Sequence, residues 1–387
     1  MMARAAPNEP VVLVVAGEPS GDRIAAGVAR VLARSGVACV GIGGEASARA
    51  GVRLIADVRQ SAGMGLTEVV TRVPAAIASY ARIARFARDM RPRAALLVDY
   101  IEHNQLLGRH LRKLGVRVLQ YVAPQVWAWR PGRLSTAGRA FDRLAVTLPF
   151  EEELWRRAGV DARYLGHPIL DVEPRARGEA RAALGLAGDR PAVALLPGSR
   201  RHEVRRLAPA MSAALGELDR MGRSVDARLL FSHSLDDATA RWMRGEAARM
   251  GVAVVEVAPE KGASEWLAAF DAALVASGTA TLECALAGVP PVIAYRVSAL
   301  TASVARRVLR VPSIGLPNIL LGRRAFPELV QKDARPDRMA RELATLLDRR
   351  SELEPLALEL RQKLAPCSSG RTSSERIAAW MSDWGQA

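Results

Sequence analysis

A chain of 387 residues that is 50% hydrophobic and 25% charged is too long for a single hydrophobic core and too apolar for extended disorder, so two domains are the default. Its formal net charge of +15 suits an acidic partner, although an arginine excess over only four lysines also fits a biased genome composition. The basic residues form no continuous tract and no zinc-finger spacing accompanies them, which sets nucleic acid aside.

Cys39, Cys284 and Cys367 are odd in number and far apart, a pattern of reduced thiols rather than of a disulfide scaffold or a cysteine-rich metal site. Met1 to Pro10 lacks the apolar core of a signal peptide, and no apolar run approaches the ~20 residues of a membrane span. The expected place is the cytoplasm, with any membrane contact peripheral.

Val11 to Val15 reads as a buried strand ending in Ala16-Gly17-Glu18-Pro19-Ser20-Gly21-Asp22, and Ile24 to Leu32 as the helix that follows. Two readings of this loop stay open: close backbone approach to a ligand, or a turn in which Ser20 or Asp22 caps the helix. Its spacing is not the G-x-G-x-x-G dinucleotide fingerprint. Ala38 to Ile42 is a second strand. Val69, Val70, Val73, Ile77, Tyr80, Ile83 and Phe86 recur at helical spacing beside Arg72, Arg82, Arg85 and Arg88. That suits a helix dipping into an anionic membrane surface, or one packed on its own sheet.

Ala94 to Val98 is a strand ending at Asp99, where a carboxylate can act as a general base or cap the next helix. Val116 to Tyr121 and Leu144 to Leu148 continue a series of strands alternating with helices, the pattern of a parallel sheet with right-handed crossovers. Between them Trp127 and Trp129, beside Arg130, offer flat area suited to bracing.

Past Gly166-His167-Pro168 the pattern breaks, and the Arg-, Ala- and Gly-rich stretch from Asp171 to Gly188 marks a boundary near residue 170. A second series follows: Ala192 to Leu196, Ala227 to Phe231, Val252 to Val257, Ala272 to Ala276 and Pro291 to Tyr295. Two doubly wound, Rossmann-like α/β halves predict a cleft at the carboxyl ends of both sheets. After Leu196, Gly198 and Ser199 offer backbone donors and Arg200 a guanidinium fork, a phosphate clamp in form.

Ala272 to Ala276 runs into Ser277-Gly278-Thr279-Ala280-Thr281-Leu282-Glu283, a strand, a small-residue turn and a helix start. The helix's first turn and dipole favour a phosphate, and Glu283 can accept from a ribose; an ordinary turn capped by Ser or Thr is the alternative. Asn318 in Leu316-Pro317-Asn318 offers a donor and an acceptor to a base or sugar. No His/Asp ligand cluster is visible, so neither a metal nor another cofactor is expected.

Together these motifs resemble the lipid-A-disaccharide synthase family, bacterial glycosyltransferases of the two-domain GT-B type, from about Val12 to about Asp333. The likeness is carried, in the family's order, by Ala16-Gly17-Glu18 with Ser20-Gly21-Asp22, Met64-Gly65 with Glu68-Val69, and Tyr121 to Arg130. Leu148-Pro149-Phe150-Glu151, Gly166-His167, Leu195 to Arg200 with Glu203, Ser277 to Cys284 and Leu316-Pro317-Asn318 follow.

The resemblance implies inverting transfer of 2,3-diacylglucosamine from UDP-2,3-diacylglucosamine to 2,3-diacylglucosamine 1-phosphate (lipid X). It implies Asp99 as base, Arg200 as the phosphate contact, and Ser199, Ser277, Gly278, Thr279, Glu283 and Asn318 as the UDP-sugar side. Gly17, Ser20, Asp22 and Asn104 fall on the acceptor side. Residues 1–170 become an acceptor- and membrane-facing domain and 171–365 the UDP-sugar domain, with 366–387 a helix crossing back to the first.

Both substrates carry acyl chains, so the implied location is peripheral, on the cytoplasmic face of the inner membrane, with Val69, Val70, Val73 and Ile77 toward anionic lipid. A homodimer stays open. One departure matters: the family's Asp-Ala-Pro-Asp-Phe-Asn is here Asp99-Tyr100-Ile101-Glu102-His103-Asn104. Another GT-B UDP-sugar transferase, a UDP-sugar epimerase and a non-catalytic membrane-binding protein are the rival readings.

Overall fold

Val11–Ala16 is apolar and buried at every position, as an inner strand covered on both faces must be. In the computed structural model it is β1 of two parallel sheets. The structure describes residues 11–57, 69–125, 127, 134, 138–186, 188, 190–232, 235–297, 312–366 and 370–385; the side chains of 57, 69–77, 102, 232 and 385 lie outside that description. Two compact units form, one from Met1–Asp171 with Leu364–Ala387, the other from Val172–Lys363.

In the first unit β1 is followed by β2 (Ala38–Gly43), β3 (Arg53–Asp57), β4 (Ala94–Val98), β5 (Arg117–Tyr121), β6 (Arg143–Val146) and β7 (Ala162–Tyr164). Their order in the sheet is β3-β2-β1-β4-β5-β6-β7, with every pair parallel. The chain winds outward from β1 in one direction and from β4 in the other. The β1/β4 seam is therefore the switch point, where open α/β sheets bind ligands at their carboxyl ends.

The second unit repeats the scheme with β8 (Ala192–Leu196), β9 (Asp226–Ser232), β10 (Ala253–Val257), β11 (Ala272–Ala276), β12 (Pro291–Tyr295) and β13 (Glu328–Val330). The order is β10-β9-β8-β11-β12-β13, again all parallel, so β8/β11 is its switch point. β4, β8 and β11, like β1, are buried throughout. The short β3, β7 and β13 close the edges with polar residues in their sequences, which discourages edge pairing.

The final helix, Ser373–Ser382, packs on Pro19–Arg34. A Cβ at Gly27 would stand 2.6 Å from Ser374 Oγ, so glycine supplies the room where the helices meet. Thr372 caps that helix, and Asp171 accepts from the first-turn N–H groups of Ser373 and Ser374 at 2.8 and 3.0 Å. Trp380 lies under the guanidinium groups of Arg163, at 4.7 Å, and Arg143, at 5.1 Å. These cation–π contacts join the helix to β6 and β7.

Candidate active site

The first cluster grows from the β1/β4 seam. Ala16 is paired with Val98, so the loop leaving β1 lies beside Asp99. A Cβ on Gly17 would come within 2.3 Å of the Tyr100 ring, and one on Gly21 within 3.3 Å of the Asp99 Cβ. Glycine at 17 is thus a steric requirement for Tyr100. Asp99 and Tyr100 are both left-handed, with φ of 52° and 45°, a strained pair costing about 1–3 kcal/mol per residue. Asp99 is half-buried.

The helix Pro19–Arg34 has no side-chain cap, so neither Ser20 nor Asp22 caps it. Asp22 instead accepts from the backbone N–H groups of Gly44, Ala46 and Ser47 at 2.6, 3.0 and 3.2 Å, pinning the loop after β2. Asn104, fully buried, donates to the carbonyl of Asp99 at 2.6 Å and to Gln120 Oε1 at 3.2 Å. Both residues stand on the expected side of the sheet, and these hydrogen bonds hold the loops there in shape. Asp22→Ala leaves three buried donors without their carboxylate; we expect about 2 kcal/mol lower stability in denaturant unfolding. An unchanged midpoint would remove that role.

His103 stacks on Tyr100 at 4.9 Å and meets Tyr80 edge-on at 6.2 Å. Burial lowers its pKa, partly opposed by Asn104. Trp127 donates through Nε1 to Glu151 Oε1 at 2.9 Å and sits edge-on to Phe150, tying two of the sequence motifs together. Burial pushes the Glu151 carboxyl up to about 7 against the hydrogen bonds it accepts.

Val69, Val70, Val73 and Ile77 belong to the helix Val69–Met90, but their side chains lie outside the described residues, as do Met64-Gly65 and Glu68. Further along the same helix, Ile83 and Ala87 are buried in the core while Arg82, Arg85 and Arg88 are exposed.

The second cluster grows from the β8/β11 seam. Gly198 has φ +121° and a Cβ there would meet the Glu203 Cβ at 2.8 Å, so glycine lets Glu203 fold back against the loop. Glu203 Oε2 accepts from the Arg200 backbone N–H at 3.3 Å. The Arg200 side chain is 46% exposed, with Nη1 4.0 Å from Glu203 Oε1. Tyr295, at the end of β12, has its hydroxyl pKa raised by burial and by Glu203, and lowered by Arg200.

Across the seam, Ser277 Oγ donates to the Ile314 carbonyl at 3.0 Å and Thr281 Oγ1 to that of Gly278 at 2.7 Å. No side chain caps the helix Thr279–Leu286, so the capped-turn alternative is not the one adopted. Its first turn keeps the donors and dipole that favour an anion. Glu283 is buried one turn along.

Asn318 is 1% exposed. Its Nδ2 donates to Phe326 O and Glu328 Oε1, and its Oδ1 accepts from the N–H groups of Ala325 and Phe326. All four hydrogen-bonding positions of the amide are filled. Asn318 therefore holds the loop from Ala325 to Glu328 against its own helix. Glu328 completes that hold by accepting from Ile314 and Gly315 at 3.0 Å each. Sequence reasoning missed Glu328, which lies in an edge strand too short to notice. It also missed Gln120, although a polar residue inside an apolar strand was a visible signal.

A family model described as "Lipid-A-disaccharide synthetase" matches residues 12–373. The lipid-A-disaccharide synthase of Syntrophus aciditrophicus (strain SB) is 42% identical over 365 residues, covering 92% of this chain and 94% of that protein. That of Myxococcus xanthus (strain DK1622) is 40% identical over 380 residues, covering 96% and 97%. Among solved structures, MurG of Acinetobacter baumannii matches with a TM-score of 0.57 at 16% identity, over 97% of this chain and 100% of its own. The fold is that of the GT-B glycosyltransferases.

Proposed function

The chain belongs to the lipid-A-disaccharide synthetase family, and from that premise we propose how its two site clusters divide the reaction. The enzyme moves 2,3-diacylglucosamine from its UDP adduct to 2,3-diacylglucosamine 1-phosphate, giving the β-1',6-linked disaccharide 1-phosphate and UDP. The first unit takes the acceptor and the second the nucleotide. Asp99 removes the proton of the acceptor's 6-hydroxyl as that oxygen attacks the anomeric carbon. The bond to the UDP oxygen breaks with its electron pair leaving on UDP. One displacement inverts the centre, with no covalent sugar–enzyme intermediate.

Arg200 and the start of the helix Thr279–Leu286 stabilise the charge that develops on UDP, as preorganised donors do. The observation that carries this reading is positional. Asp99 ends one switch-point strand, while Arg200 and Ser277 follow the two switch-point strands of the other sheet. Asp22, Asn104 and Asn318 are the residues that hold these loops in shape.

Acyl chains keep both substrates in a bilayer, and no described helix is long and apolar enough to cross one. In this reading the enzyme works as a peripheral protein on the cytoplasmic face of the inner membrane. The basic surplus and the exposed Arg82, Arg85 and Arg88 support docking on anionic lipid.

Incubation with UDP-2,3-diacylglucosamine and lipid X should yield disaccharide and UDP in equal amounts, and the protein should float with vesicles containing anionic lipid but not with zwitterionic ones. UDP release without disaccharide would overturn the transferase assignment. Indifference to lipid charge would overturn the docking.

A further inference from the structure

Among the described residues, five that are not glycine have positive φ: Arg91, Asp99, Tyr100, Val122 and Gln331. Three of them stand together at the carboxyl ends of β4 and β5. Val122, with φ 71°, is β-branched, for which the left-handed region is an outlier. Something must hold this backbone, and one buried side chain reaches both of its parts.

Gln120 is fully buried in β5, paired with Leu97 in the parallel register. Its Nε2 lies 3.1 Å from the carbonyl oxygens of Asp99, Tyr121 and Val122, and shares its two hydrogens among them. Its Oε1 accepts from Asn104 Nδ2, which also donates to the Asp99 carbonyl. The Asp99 carbonyl thus takes two amide donors. An apolar residue would fill this position without the cost of burying an amide, but it would take this donor from the Val122 carbonyl and one of two donors from that of Asp99.

We propose that Gln120, acting with Asn104, is a positioning residue for the reaction: the amide pair grips the backbone at Asp99 and Val122 and so fixes the direction in which the Asp99 carboxylate points. The inference rests on Asp99 being the base. Gln120 touches no substrate; it acts through the main chain of a residue that does.

Only an amide combines two N–H donors with an acceptor, as this arrangement uses them. Glutamate would set a carboxylate against three carbonyls, while methionine keeps the volume and loses every hydrogen bond.

The test is Gln120→Met, alone and combined with Asp99→Asn, with kcat, KM for each substrate, the pH dependence of kcat and the unfolding midpoint measured on the full-length protein. Misplacing the carboxylate should lower kcat by about one to two orders of magnitude with the donor KM little changed. The acidic limb of the kcat profile should move, because the carboxylate's surroundings change.

In the Asp99→Asn background the same substitution should cost almost nothing further, since there is no base left to aim. A loss that multiplies in that background would show a general structural role and overturn the proposal, as would a wild-type kcat in the single variant. If Gln120→Met does not fold, Asn104→Ala is put through the same cycle, with the same two results deciding. A wild-type kcat in Asp99→Asn would instead remove the base itself, a failure distinct from that of Gln120.

Discussion

Asp99→Asn is expected to bind the nucleotide sugar as the parent does and to turn it over about 10³-fold more slowly, the scale on which a positioned general base acts. The choice of asparagine follows from the backbone. Asp99 has φ 52°, and Asn, with Asp, tolerates left-handed φ better than most residues with a Cβ. Asparagine also keeps the shape that fits beside Gly21. The substitution therefore removes a proton acceptor and little else.

Asp99→Ala would confound the result, because alanine at this φ adds backbone strain to the lost carboxylate. Steady-state kinetics, UDP binding by calorimetry and the unfolding midpoint separate the possibilities. Turnover within a few-fold of the parent would exclude Asp99 as the base. The parent's rate should also fall as acid protonates the carboxylate, and the variant's residual rate should lack that limb.

Inner strands were legible because covered parallel strands are apolar at every position. Val11–Ala16 and Ala272–Ala276 need no partner to be recognised. Arg53–Asp57, Ala162–Tyr164 and Glu328–Val330 were not, since a short edge strand with charged residues looks like a loop. The glycine loops announced close approach without saying to what; Gly17 makes room for Tyr100, which follows another strand.

Asp22, Asn104 and Asn318 were singled out as polar residues in the right places, but their inward turn depends on partners distant in sequence. Asp22 meets residues 44–47, and Asn318 meets the stretch from Ala325 to Glu328. A single sequence shows that a polar side chain is present, not which way its hydrogen bonds are used. Asp171 shows the same limit: it begins an unremarkable stretch yet accepts from the first turn of a helix 202 residues away.

Arg200→Ala should slow transfer by about 10²- to 10³-fold, the loss that follows removal of one donor aimed at developing charge, and should raise the inhibition constant of UDP. Structure should survive. Arg200 precedes the helix Arg201–Arg220 with φ −110° and ψ 139°, extended backbone that alanine adopts without strain. Its ion pair with Glu203, at 4.0 Å and with the guanidinium 46% exposed, is worth less than about 1 kcal/mol.

Arg200→Lys separates charge from geometry. Lysine restores the positive charge but not the planar fork that can grip two phosphate oxygens at once, so it should recover part of the UDP affinity and less of kcat. β8 and β11 are hydrogen-bonded neighbours, with Leu196 beside Val275, which sets the Arg200 loop next to the Ser277 turn. Normal UDP affinity in Arg200→Ala would place the phosphates elsewhere.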